Sequence, residues 1–183
     1  TFTSDKWKFV YRYDITFKLY RDCRGGALYS PDFELMCVSS NKKQYLYANR
    51  KNIREISTNC TKIGNVCDPP NSTVTAEGFE EQIYIYTIDF NGSESGFKNC
   101  CLLKIGMGQC CRSSKLTTGG ASNDFWVTCD LDNCKAQFNT SPVFSFDPVF
   151  LVACNQPLSL SFSAFDTTDN DSLSYSLSEP LQN

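Results

Sequence analysis

Trp7-Lys8-Phe9-Val10-Tyr11-Arg12-Tyr13-Asp14-Ile15-Thr16-Phe17-Lys18-Leu19-Tyr20 is the stretch whose reading decides the fold class. Trp7, Phe9, Tyr11, Tyr13, Ile15, Phe17 and Leu19 alternate with Lys8, Val10, Arg12, Asp14, Thr16 and Lys18. Successive side chains of a strand point to opposite faces, so a period of two puts the aromatic set on one side and the charged set on the other. A helix, at 3.6 residues per turn, would scatter the same aromatics around its surface. The pattern predicts one long strand with a buried face, closed by the turn residues Arg24-Gly25-Gly26.

Outward from that strand the chain continues in the same idiom. Shorter strands are predicted at Phe33–Val38, Gln44–Tyr47, Gln82–Phe90, Cys101–Ile105, Phe125–Leu131 and Val149–Ala153, and one short helical turn at Lys51–Thr58. Breakers separate them: Asp68-Pro69-Pro70-Asn71, Asn91-Gly92-Ser93 and Thr117-Thr118-Gly119-Gly120. Short strands joined by polar turns argue for an all-β, immunoglobulin-like sandwich rather than alternating β and α units. A boundary is expected near Asn139-Thr140-Ser141-Pro142, because ten of the eleven cysteines precede it and a fresh β pattern follows. That divides the chain into a cysteine-rich β-sandwich head, residues 1–140, and the first strands of a second immunoglobulin- or cadherin-like unit, residues 141–183. The second unit has fewer than the roughly seven strands of a sandwich, so either these strands complete the first domain or, as the favoured expectation, the protein continues. Thr1 reads as a mature end left by signal-peptide removal, or as the edge of an expressed segment.

The cysteines bear on the compartment. Cys23, Cys37, Cys60, Cys67, Cys100, Cys101, Cys110, Cys111, Cys129, Cys134 and Cys154 are too many to be carried as free thiols in a reducing cytosol. Zinc binding needs a ligand grammar that adjacent pairs such as Cys100-Cys101 and Cys110-Cys111 do not supply, and the chain has no histidine. Disulfides are therefore expected, with connectivity open and one thiol left over from an odd count. The predicted location is extracellular or at a cell surface. Seventeen basic and 20 acidic side chains give a net charge of -3, without the basic excess of a nucleic-acid groove, and no apolar run of about 18 residues predicts a membrane span.

Several motifs in order resemble the N-terminal region of the gliding-motility-associated, type IX secreted, adhesin-like surface proteins of Bacteroidota. The matching residues are Tyr20-Arg21-Asp22-Cys23, Gly78-Phe79-Glu80-Glu81-Gln82-Ile83-Tyr84, Cys110-Cys111-Arg112 and Asn139-Thr140-Ser141-Pro142-Val143-Phe144. Cys154-Asn155-Gln156-Pro157, Ala164-Phe165-Asp166 and Asp171-Ser172-Leu173-Ser174-Tyr175-Ser176-Leu177 follow. The resemblance implies a secreted protein displayed on the cell surface, with roles in adhesion, gliding or filaments, and brings no catalytic residues. The chain departs from it in having more cysteines and an acidic loop longer by one residue.

That acidic loop is the candidate small-ligand site. Asp166, Asp169 and Asp171 offer closely spaced carboxylates of the kind calcium takes, although the spacing is not that of an EF-hand and a polar turn held by Asx hydrogen bonds is the simpler reading. Calcium is the one cofactor considered. Ser172, in Asp171-Ser172-Leu173, fits the short O-glycosylation acceptor pattern that the resemblance brings. Arg112 is a candidate partner for a buried carboxylate beside the cysteines, with an exposed surface arginine the commoner case. Glu80 and Glu81 are neighbours on a strand and point to opposite faces, which removes them as a glycosidase pair; Asp130 and Asp132 share a face at a strand end, where a turn role is expected.

The lack of histidine excludes Ser-His-Asp and Cys-His catalysis within these residues. A two-carboxylate hydrolase would need a pair that is not visible, and the function that the resemblance implies is a non-catalytic structural or adhesive surface module. Its partners are other surface proteins or copies of itself, with no nucleic acid and no membrane insertion. The alternative is a carbohydrate- or calcium-binding recognition domain, in which exposed aromatics stack on sugar rings.

Overall fold

The computed structural model describes residues 12–25, 32–57, 67, 78–110, 124–135, 140–150, 152, 155–168 and 171–179. The chain is all-β. Its strands are β1 (Arg12–Asp22), β2 (Asp32–Cys37), β3 (Lys42–Tyr47), β4 (Asn49–Glu55), β5 (Phe79–Asp89), β6 (Leu102–Gln109), β7 (Phe125–Asp132), β8 (Val143–Phe144) and β9 (Ala164–Phe165). One 3-10 turn, Ser95–Phe97, interrupts the series. The alternation read from the sequence is visible along β1, where Tyr13, Ile15, Phe17 and Leu19 pack toward the core and the intervening side chains are exposed. Trp7, Phe9 and Tyr11 lie outside the described residues.

Every strand pair is antiparallel, and the strands form a three-stranded sheet in the order β1-β5-β4, a four-stranded sheet in the order β3-β2-β6-β7, and a small β8-β9 ribbon. The first two orders are consistent with strands B-E-D and C′-C-F-G of an immunoglobulin sandwich. The two sheets share one core. Phe33, Leu35, Leu46, Leu103, Ile105 and Met107 from the four-stranded sheet meet Tyr84, Ile88 and Phe90 from the other chain layer. Phe17 of β1 stacks on Phe33 of β2, with ring centroids 3.4 Å apart. Each such fully buried large side chain contributes about 1.5–3 kcal/mol relative to exposure.

Disulfides staple the margins of this core. Cys23 joins Cys67, Cys37 joins Cys100, and Cys101 joins Cys134. Cys110 is also disulfide-bonded, Cys129 is free and exposed, and Cys60, Cys111 and Cys154 lie outside the described residues. Antibody domains place their bridge between strands B and F of opposite sheets. Here Cys37–Cys100 ties the end of β2 to the residues just before β6, which neighbours β2 in the same sheet. Cross-links of this density belong to an oxidising environment.

Three local expectations need correction. Of the helical turn expected at Lys51–Thr58, the described residues Lys51 to Ser57 form none: those up to Glu55 belong to β4, which pairs with β5. All seven β4 residues are exposed, so the strand has no apolar face to announce it; pairing with β5 imposes the conformation on polar residues. Val149, Phe150 and Val152 are not in a strand, although their apolar character resembles one. The strand predicted at Cys101–Ile105 runs on to Gln109 through Gly106 and Gly108. Gly106 is required there because a Cβ at that position would sit 2.3 Å from the Trp126 ring.

Past β7 the chain is more open. Val143–Phe144 pairs with Ala164–Phe165, Ser145 N–H donates to the Ser163 carbonyl at 3.1 Å, and Ala164 N–H donates to the Tyr175 hydroxyl at 3.0 Å. Phe146 contacts Phe150 and Phe162 with centroids 5.5 and 6.2 Å apart. One ion pair, Arg54 to Asp147 at 2.9 Å, links β4 to this segment.

Candidate contact surface

The charged groups that the sequence singles out are bound into the scaffold. Glu80 and Glu81 fall on opposite faces of β5, as the strand period requires. Glu80 accepts from Arg21 Nε at 2.9 Å and from the Gln82 side chain, which in turn accepts from the Tyr84 hydroxyl at 2.7 Å. Glu81 points away from the shared core yet is only 1% exposed. Its cover comes from the two flanking strands: Tyr20, opposite it on β1, donates its hydroxyl at 2.9 Å, Arg54, opposite it on β4, approaches to 3.0 Å, and Lys18, diagonal to it on β1, lies 3.7 Å away. Burial alone would raise the Glu81 carboxyl, but the hydrogen bonds from Tyr20 and Arg54 and the charges of Lys18 and Arg54 outweigh it and hold it below the usual range. Glu80 is depressed in the same way, with Arg21 and Gln82 overcoming burial. Tyr20 is pushed up to about 12, by burial first and then by its bond to Glu81 and the charge on it.

A second buried carboxylate escaped the sequence reading. Glu94, fully buried, accepts from the Tyr86 hydroxyl at 2.7 Å, from Asp89 N–H at 2.8 Å and from Gln44 Nε2 at 3.3 Å. It fastens the turn after β5 to β3. Lys42 of β3 lies over the Phe97 ring, 5.0 Å from its centroid, on the same connection. The clue available in the sequence is only the turn Asn91-Gly92-Ser93 followed by a glutamate, and nothing there says that the carboxylate turns inward.

The remaining candidates divide as follows. Asp130 pairs with Lys104 at 3.0 Å. Asp132 accepts from the Cys134 and Lys135 backbone amides at 3.1 Å each, the turn role expected of it. Asp166 accepts from the Thr140 hydroxyl at 3.5 Å, and Asp171 is exposed. Asp169 of the candidate calcium loop lies outside the described residues, as does Arg112. Among the described residues no group of three or more His, Cys, Asp or Glu side chains is placed to hold a metal ion. Ser172 is exposed. No described helix is long and apolar enough to cross a membrane.

Among the side chains left to solvent are large apolar ones. Tyr45 and Tyr47, two residues apart on β3, are 62% and 71% exposed, on the side of that strand opposite the buried Leu46. The segment from Val143 onward exposes Val143, Phe144, Leu158, Phe162, Phe165, Tyr175 and Leu177. Exposed large apolar side chains concentrated along one segment mark it as a candidate contact surface. No known protein family, curated protein or solved structure matches the chain.

Proposed function

We propose that this chain is a non-catalytic structural or adhesive module of a secreted or surface protein, working by protein–protein or protein–surface contact. The observation that carries the reading is the exposed apolar set between Val143 and Leu177, standing beside a disulfide-stapled sandwich. Such a sandwich resists shear and proteolysis, and side chains such as Phe144, Phe162 and Leu177 supply the area that a partner covers. The resemblance to Bacteroidota gliding-motility-associated proteins supports display on a cell surface and roles within filaments. Beads coated with the purified protein are expected to cluster or to adhere to protein-coated surfaces, and the combination Phe144→Ser with Leu177→Ser is expected to reduce this at least several-fold. Beads that stay dispersed and adhere to nothing overturn the proposal.

A second reading, carbohydrate recognition, draws its support from Tyr45 and Tyr47, two exposed rings on one strand face of the kind that stacks on sugars. A glycan array run with and without chelator tests it and the calcium loop together. Binding lost in Tyr45→Ala supports it, and no binding in either condition removes it.

A further inference from the structure

The two main sheets end in four border strands: β1 and β4 on one, β3 and β7 on the other. A border strand presents unpaired N–H and C=O groups, and proteins blunt that liability with lysines and other charges, prolines or bulges. Strand β4 carries Arg50, Lys51 and Arg54 and a register shift between Arg50 and Asn52. Strand β3 opens with Lys42 and Lys43, and β1 carries Arg12, Lys18 and Arg21. Strand β7, Phe125-Trp126-Val127-Thr128-Cys129-Asp130-Leu131-Asp132, has no lysine, arginine, proline or bulge, carries its two charges, Asp130 and Asp132, only toward its end, with Asp130 already paired to Lys104, and pairs with β6 in unbroken register. Among the described residues no strand pairs with its far side. Val127 is 56% exposed there and Cys129 is exposed and free, on the same strand face as Phe125 and Leu131, which reach the core.

The hydrogen-bond phase of the strand is fixed at its end. Asn133 N–H donates to the Cys101 carbonyl at 2.6 Å, which makes Cys101 and Asn133 a hydrogen-bonded pair. Bonded and non-bonded pairs alternate along an antiparallel ladder, so Ile105 and Cys129 are also a bonded pair. The backbone groups of Cys129 are thus spent on β6, while those of Trp126, Thr128 and Asp130 face the free side. A strand added on that side meets Cys129 at a non-bonded position, where opposed Cα atoms lie about 4.5 Å apart. That distance falls within the range of about 4.4–6.8 Å that a disulfide spans.

We propose that the free edge of β7 pairs with β7 of a second copy of this chain, antiparallel and centred on Cys129. The sequence of the strand is self-complementary in that register. Cys129 meets its own counterpart, Val127 meets Leu131, Thr128 meets Asp130 and Trp126 meets Asp132, so no carboxylate opposes a carboxylate. The arrangement is isologous and closes at two copies, extending each four-stranded sheet into an eight-stranded one across the pair. The two thiols then form one disulfide. They lose two electrons and two protons to a small-molecule disulfide such as oxidised glutathione, which leaves as two thiols. The pairing deepens the contact-module reading by naming one partner, and it rests on that reading's oxidising setting.

The test is non-reducing electrophoresis and peptide mapping of the whole protein incubated with oxidised glutathione. A dimer linked through Cys129 is expected, and Cys129→Ser abolishes it. Thr128→Asp sets a carboxylate opposite Asp130 twice per dimer and is expected to cut the yield roughly ten-fold at low salt, whereas Thr128→Lys retains or raises it. Circular dichroism of each variant, with Thr128→Lys as the same-site control, separates lost pairing from lost folding. The proposal is overturned by a wild-type protein that stays monomeric, by a covalent dimer that survives Cys129→Ser, or by equal yields from Thr128→Asp and Thr128→Lys. Those outcomes leave bead adhesion through the Val143–Leu177 surface untouched, so failure here and failure of the contact reading are told apart.

Discussion

Glu94 shows how much one side chain holds at the residue scale. Its carboxylate has three donors and no exposed surface, so truncation removes the acceptor for Tyr86, Gln44 and the Asp89 amide at once. Leaving buried donors unpaired costs about 1–3 kcal/mol each where water cannot enter. Glu94→Ala is expected to lower unfolding free energy by about 2–4 kcal/mol in urea titrations, against a smaller loss for Glu94→Gln. The carboxylates of β5 set the acid limit. Glu80 and Glu81 have depressed folded values, so their contribution is present above the unfolded glutamate value of about 4.3 and is lost as pH falls through the folded ones. Tyr20 is raised to about 12, so its contribution holds below about 10 and is lost as pH rises between about 10 and 12. Melting temperature against pH should fall at both ends, and Glu81→Gln should flatten the acid limb while lessening, without abolishing, the alkaline shift of Tyr20, whose first cause is burial.

At the scale of elements, β6 and β7 depend on a glycine. Trp126 lies across Gly106, and a larger residue there must displace the indole. Gly106→Val is expected to cost about 1–3 kcal/mol and to change tryptophan emission, read by fluorescence during denaturation. The same strands mark what the sequence makes legible. Strand β1 is readable because a period-two pattern survives in its residues, and β2, β3, β5 and β7 are readable from shorter versions of it. Strand β4 is not, because Asn49–Glu55 is exposed throughout and takes its conformation from β5. Val149–Ala153 fails in the opposite sense: its composition suits a strand, but its described residues have no ladder partner. Of the candidate sites, the opposed faces of Glu80 and Glu81 follow from chain geometry alone. The inward turn of Glu94, the pairing of the cysteines and the exposure of Tyr45 and Tyr47 follow from contacts between distant segments, which no local pattern encodes.

For the whole molecule, the sandwich rests on burial and cross-links together. Cys37–Cys100 closes a loop of 63 residues and should contribute about 4 kcal/mol by restricting the unfolded chain. The double variant Cys37→Ala/Cys100→Ala is expected to lose about that amount in guanidinium titrations, while reduction of all bridges should cost more than any single core substitution. The two neighbouring cysteines at the start of β6 bond in opposite directions, Cys100 back to Cys37 and Cys101 forward to Cys134. A tension applied between Cys37 and Cys134 therefore passes through two sulfur bridges and one peptide bond. The loops of 63 and 33 residues between them cannot be drawn out, which withholds slack on the order of 300 Å from the strained chain. Under load this part of the protein behaves as an inextensible link, and a reductant converts it into a tether.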